Sequence, residues 1–303
     1  MRSNNPIRLS TEVAEAKANG APIVCLESTV FSKLGLPSPS NAEALESCIS
    51  VLREDGVVPA VSAVIDGELR LGLEDSEYDQ IFSASTKVSV RDLPIAVGKG
   101  LDVGVTTVSA SLAIAHAAGE RVFCTGGIGG VHRGANLTGD ISADLHALTK
   151  FNVLCVSAGA KVFLDLPGTL QLLETLGVPV LGWQTDKFPA FYLRNTGLEI
   201  KRVDSVKEVV SILDAIDLLD LGHGVLLNVP IPSEDELDAE KIWTVIQKCI
   251  DECEEQGISG QEVTPFILER LAAGTEGESI PANLALLENN TKVASQIARF
   301  IYS

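Results

Sequence analysis

Residues 121–161 read RVFCTGGIGGVHRGANLTGDISADLHALTKFNVLCVSAGAK, and this stretch decides the fold class. Two short apolar runs, at 121–124 and 153–156, each give way to small or polar residues. A helix-periodic segment at 143–150 lies between them. Strand, helix and strand in that order are the signature of a layered α/β fold whose strands are covered on both faces. The alternation continues on either side. Further strands are expected at 23–26, 58–65, 178–182 and 225–229, and helices at 40–54, 107–118, 168–176, 205–219, 239–256, 265–273 and 282–302. Asp66-Gly67 separates 58–65 from the apolar-alternating 68–73 and suits a type I′ turn, which needs positive φ at both central positions. One antiparallel hairpin therefore joins an otherwise parallel set. The expected architecture is a three-layer αβα sandwich with a mixed, largely parallel central sheet, forming a single domain over 1–303. The Pro230–Glu236 stretch is the best loop boundary within it.

Composition narrows the class of function. With 46% hydrophobic residues in 303, the chain has ample material for a large core. Its 23 Lys+Arg against 41 Asp+Glu leave a net charge of −18, which disfavours nucleic acid and anionic membranes as partners. A small anion held by local charges in a cleft is compatible with that charge. No apolar run approaches the roughly 18 residues of a membrane span, and the first twenty residues have no signal-peptide core, so a cytoplasmic setting is expected. The six cysteines form no CxxC pair and read as reduced core residues. Cys249 and Cys253 have helical i,i+4 spacing, but a metal would need two further ligands.

In open α/β sheets, ligands collect beyond the carboxyl ends of strands. Three such ends carry unusual residues: Glu27-Ser28-Thr29, the glycine-rich 125–134, and Ser157-Ala-Gly-Ala-Lys161. The five glycines of 126–134 suit close approach of amides to an anion, or equally a tight strand-to-helix turn. They match neither a dinucleotide fingerprint nor a P-loop. Lys161 is either a helix-starting surface lysine or an amine whose apolar surroundings make it a nucleophile toward carbonyl carbon. Glu27, between an apolar run and Ser28-Thr29, is either a general acid with a raised pKa or the partner of a lysine. Asp140 and Asp144 are read either as an i,i+4 pair offering few oxygens to Mg²⁺ or Mn²⁺, or as helix-capping acids.

At these positions the sequence resembles the pseudouridine-5′-phosphate glycosidase family, also called indigoidine synthase A-like, from about residue 8 to residue 302. The matching segments include CLEST (25–29), VPAVSAVIDGELRLGL (58–73), TTVSASLAIAHAAG (106–119), TGGIGGVHRGANLTGDISADL (125–145), SAGAKVFLDLPGTLQLLETLGVPV (157–180), GWQTDKFPAFY (182–192) and NLALLENN (283–290). The resemblance implies reversible cleavage of the C-glycosidic bond of pseudouridine 5′-phosphate to uracil and ribose 5-phosphate, with Mn²⁺ or another divalent cation, in a homotrimer. It implies Lys161 as the imine-forming nucleophile, Glu27 as proton donor and Asp140 as metal ligand. Lys87, Thr107, Val108, His132, Ser142, Ala143, Asp144 and Asn283 fall at substrate-contacting or site-lining positions. Three departures stand out: Ser32-Lys33-Leu34-Gly35 lacks the family's histidine, Val90 replaces an arginine, and Asn228-Val-Pro-Ile-Pro carries an extra valine. They leave open a related lyase or synthase with another base, or a phosphometabolite-binding protein without turnover.

Overall fold

The computed structural model describes residues 7–258, 263–275 and 277–303. Eleven strands make one sheet: β1 Ile7–Leu9, β2 Ile23–Leu26, β3 Val58–Ile65, β4 Glu68–Leu71, β5 Lys87–Val88, β6 Val103–Thr106, β7 Val122–Cys124, β8 Leu154–Ser157, β9 Val180–Trp183, β10 Lys201–Val203 and β11 Val225–Asn228. The main run β3-β2-β7-β8-β11-β9-β10 is parallel throughout. β3 is long enough to serve two neighbourhoods. Its first half pairs with β2, and its second half runs antiparallel to β4 on one side and β6 on the other. β1 then adds parallel to β4, and β5 parallel to β6.

This is the mixed, largely parallel sheet the sequence predicts, flanked by helices. β2, β8 and β11 are buried at every residue, which is why they read as unbroken apolar runs rather than alternating ones. Asp66 and Gly67 take φ of 52° and 70°, as the β3–β4 turn requires. The long C-terminal helix Ser279–Ile301 packs on helix Ser40–Glu54 and on β2, β7 and β8, while helix Val108–Ala118 packs on helix Ala143–Lys150 and on β2, β3 and β7. Among the described residues, no helix is long and apolar enough to cross a membrane.

Differences from expectation lie at ends and edges. Helix Leu166–Thr175 begins two residues before the expected 168, because Asp165 caps it by accepting from the Gly168 amide and Pro167 occupies its first turn. Helices Thr11–Asn19, Tyr78–Ser83, Leu93–Lys99 and Ala135–Thr138 and the short strands β1, β5, β6 and β10 lie outside the expected elements. Helix Val263–Gly274 replaces the expected 265–273.

Candidate functional site

β2, β7 and β8 are consecutive in the sheet and parallel, so Glu27, Thr125 and the 158–161 loop leave from the same edge. The three polar strand ends of the sequence do converge. β6 ends beside them, since the Thr29 amide donates to the Thr106 carbonyl at 3.2 Å. Below this edge, the buried hydroxyls of Ser28, Ser62, Thr106 and Ser111 bond to one another and tie β2, β3, β6 and the following helix together.

Beyond the strand ends the β7 and β8 chains stay paired. Ala158 donates to Gly126 (2.8 Å), Ile128 to Gly159 (3.0 Å), Lys161 to Ile128 (3.1 Å) and Asp165 to Val131 (2.9 Å), all through the backbone. The base of Lys161 is thereby fixed to the glycine-rich loop. Gly127 is required because a Cβ there would lie 2.5 Å from Cδ2 of Phe191, a residue that itself holds a left-handed φ of 58°. Gly159 has φ +85°, and a Cβ there would overlap the Pro189 carbonyl. Gly159→Ala is therefore expected to lower unfolding free energy by more than about 3 kcal/mol, from strained backbone and overlap together, read as a fall in urea midpoint.

Four amides of the glycine-rich segment are committed within the protein. The amides of Ile128, Gly129, Val131 and His132 are already taken by the Gly159 carbonyl, Asp144 Oδ2, Thr169 Oγ1 and the Asp140 carbonyl. Gly127, Gly129 and Gly130 are packed too closely for a Cβ, whereas Gly134 holds a left-handed φ of 76° in open space. The reading of Asp140 and Asp144 as a helical pair is corrected. The helix starts at Ala143 with Ser142 as N-cap, so Asp140 lies outside it and the i,i+4 geometry does not apply. Asp144 is buried, with Oδ1 accepting from the Ser109 amide (2.9 Å) and Oδ2 from Gly129 (2.8 Å), so it ties the first turn of helix Val108–Ala118 to the glycine-rich loop. Asp140 is partly exposed, its Oδ2 3.8 Å from His132 Nδ1.

Electrostatics centre on Glu27. Burial raises its carboxyl to about 7, opposed by a hydrogen bond from the Thr125 hydroxyl and the positive charges of Lys161 and Lys87, and reinforced by Asp144. Lys87 is lowered to about 8, first by burial and then by Lys161, against the pull of Glu27 and Asp144. His132 is lowered by burial, with Asp140 opposing and Lys161 adding to the shift. Glu27, Lys87, Asp144, Lys161, His132 and Asp140 thus share one electrostatic neighbourhood. Thr107 caps helix Val108–Ala118 from the end of β6, with Val108 buried behind it, and Ala143 follows the Ser142 cap. A cavity of about 620 Å³ opens past His132 and Asp140, lined also by Leu137, Phe163 and Ile250. That volume lies within the range of small-ligand sites.

Asn283 sits on the C-terminal helix, buried, with Oδ1 lacking a protein partner. Two turns on, at i+7 on the same side, Asn290 donates to the carbonyls of Thr125 (2.8 Å) and Gly126 (3.2 Å). The sequence places Thr125 at a strand end without a role of its own, and marks Asn290 only as the last residue of the NLALLENN segment. A polar residue two turns from Asn283 on an otherwise apolar helix face was the available signal. The six cysteines are buried thiols, and among the described residues no three His, Cys, Asp or Glu side chains gather to hold a metal.

The family model described as indigoidine synthase A like protein matches residues 12–300. The chain belongs to this family. Similar members include a pseudouridine-5′-phosphate glycosidase of Herpetosiphon aurantiacus, 48% identical over 96% of each chain, and one of Caldanaerobacter subterraneus subsp. tengcongensis, 46% identical over 97% of this chain and 96% of the relative. Among solved structures of the fold, the prealnumycin C-glycosynthase AlnA, in complex with ribulose 5-phosphate, superposes with TM-score 0.90 at 34% identity. That match covers 98% of this chain and 97% of AlnA. An indigoidine synthase A-like protein of Thermotoga maritima gives 0.89, also at 34% identity and with the same coverage.

Proposed function

We propose that this indigoidine synthase A-like chain reversibly cleaves pseudouridine 5′-phosphate to uracil and ribose 5-phosphate through an imine on Lys161. The observation that carries the reading is the juxtaposition of Glu27, poised near 7, with the amines of Lys161 and Lys87 at one sheet edge. The names of the relatives and the phosphosugar in AlnA point the same way. A C-glycosidic carbon has no heteroatom leaving group to protonate, so a two-carboxylate route is poorly matched to it. An amine solves this. The C1′–O4′ bond opens as O4′ takes a proton from Glu27, and the Lys161 nitrogen bonds to C1′. Bound to C1′ the nitrogen is a secondary ammonium and first returns a proton to the Glu27 carboxylate; Glu27 passes that proton to uracil C5 as the C1′–C5 bond breaks, with the freed nitrogen lone pair forming C1′=N. Water hydrolyses the imine, releasing ribose 5-phosphate and restoring the amine.

Lys87 serves the phosphate as a cation, with Thr107, Val108, Ser142, Ala143, Asp144 and Asn283 shaping the pocket around the substrate. Asp140 would hold the divalent cation. Its single, partly exposed carboxylate beside His132 fits a hard ion that keeps most of its waters, such as Mn²⁺, and not a closed protein cage. Such an ion supplies positive charge for substrate oxygens. The reading includes the homotrimer and the cytoplasmic setting expected of the family.

The test is uracil release by purified protein from pseudouridine 5′-phosphate. Release with Mn²⁺ and its loss on chelation are expected; no uracil with any of several divalent cations would sink the proposal. A second reading, a related lyase or synthase with another base, is favoured by the Ser32–Gly35 stretch, which departs from the family pattern shortly after Glu27. A panel of C- and N-nucleotides separates the two.

A further inference from the structure

The proton-bearing carboxyl of Glu27 is held by a group with no role in the chemistry above. Thr125 is buried at the end of β7, and each of its polar groups is committed. Its amide donates to the Val156 carbonyl at 3.0 Å, its carbonyl accepts from Asn290 Nδ2 at 2.8 Å, and its hydroxyl donates to Glu27 Oε1. Asn290 is wholly buried on the C-terminal helix, so the threonine is anchored from a neighbouring strand and from the helix layer at once. A hydroxyl fixed in this way presents its proton to one carboxyl oxygen only. Oε1 becomes the accepting oxygen, and Oε2 is left to carry the acid proton toward a substrate.

We infer that Thr125 is a positioning residue for catalysis, selecting Oε2 of Glu27 as the oxygen that delivers the proton. The inference rests on the reading of Glu27 as the proton donor. The charged groups facing Glu27 are Lys161 of the loop after β8, Lys87 of β5 and Asp144 of helix Ala143–Lys150; the Cys124 and Cys155 thiols near it are held neutral by burial. None of these changes when the hydroxyl is removed. The hydroxyl bond favours the ionised carboxyl, so its loss moves the Glu27 titration to higher pH.

Thr125→Val keeps the shape and removes the hydroxyl, Thr125→Ala removes it with less bulk should the valine fail to fold, and Thr125→Ser restores it. For each, kcat and KM for pseudouridine 5′-phosphate are measured across pH, and the Glu27 carboxyl is titrated by infrared difference spectroscopy with Glu27→Gln as baseline. The hydroxyl-free variants are expected to lose roughly 10- to 100-fold in kcat with KM within about twofold, the size of a lost hydrogen bond to a charged group. Their carboxyl titration moves upward in pH, and serine returns both values toward wild type. Wild-type kcat and an unmoved titration in Thr125→Val or Thr125→Ala overturn the inference, as does a serine variant no better than valine. Should Glu27→Gln itself keep the wild-type rate, the proton-donor reading falls and the inference with it.

Discussion

Lys161→Ala is expected to lower uracil release by roughly 10⁴-fold or more, the scale at which removal of a covalent nucleophile acts. The same change should leave the fold intact. What the structure fixes at this position is the backbone, whose amide donates to the Ile128 carbonyl at 3.1 Å, and an alanine keeps that bond. Thermal unfolding should therefore stay close to wild type while turnover disappears. Lys161→Arg is expected to fail equally, because a guanidinium stays protonated and cannot add to carbon. A variant that folds and still releases uracil at more than a hundredth of the wild-type rate would remove the amine from the mechanism.

Glu27→Gln is expected to lower kcat by roughly 10²- to 10⁴-fold, the range for a positioned general acid. It should also erase a limb of the pH profile. With its carboxyl raised to about 7, Glu27 is protonated below that pH, and kcat/KM should fall as pH rises through it; the glutamine variant has nothing to titrate there. Stability follows the same sign. A carboxyl raised from 4.5 to about 7 by folding contributes stability that is fully present below about 4.5 and lost as pH rises through 7, on the order of 3 kcal/mol. Above pH 7 the glutamine variant should thus show a higher urea midpoint than wild type while being the poorer enzyme. Equal midpoints at pH 8 would contradict a Glu27 that is costly to ionise.

The two variants bear on different kinds of sequence information. The doubly covered strands were legible because burial on both faces leaves an unbroken apolar run, as in Ile23–Leu26 and Val225–Asn228. β5, two residues beginning with Lys87, and β6, interrupted by Gly104, carry no such run and owe their place to pairing with β3 and each other. At the site, the convergence of Glu27, Thr125 and Lys161 followed from reading strand ends. The partners of each group did not. Occupied amides at Ile128 and Gly129 look no different in sequence from free ones, and a helix that starts at Ala143 rather than Asp140 separates two carboxylates that spacing seemed to pair. Asn290 is 165 residues from the carbonyl it holds, so only the packed helix reveals it. The roles given to Lys161, Glu27 and Asp140 came from the family resemblance; local pattern alone left each with an ordinary alternative.

The central claim is a covalent bond between sugar and Lys161. It is tested most directly by incubating the protein with ribose 5-phosphate, reducing with borohydride and mapping the peptides by mass spectrometry. The account predicts a reduced phosphosugar adduct on Lys161 that is absent in Lys161→Ala. Uracil release by the same preparation with no adduct, or with the adduct on Lys87 instead, would contradict it.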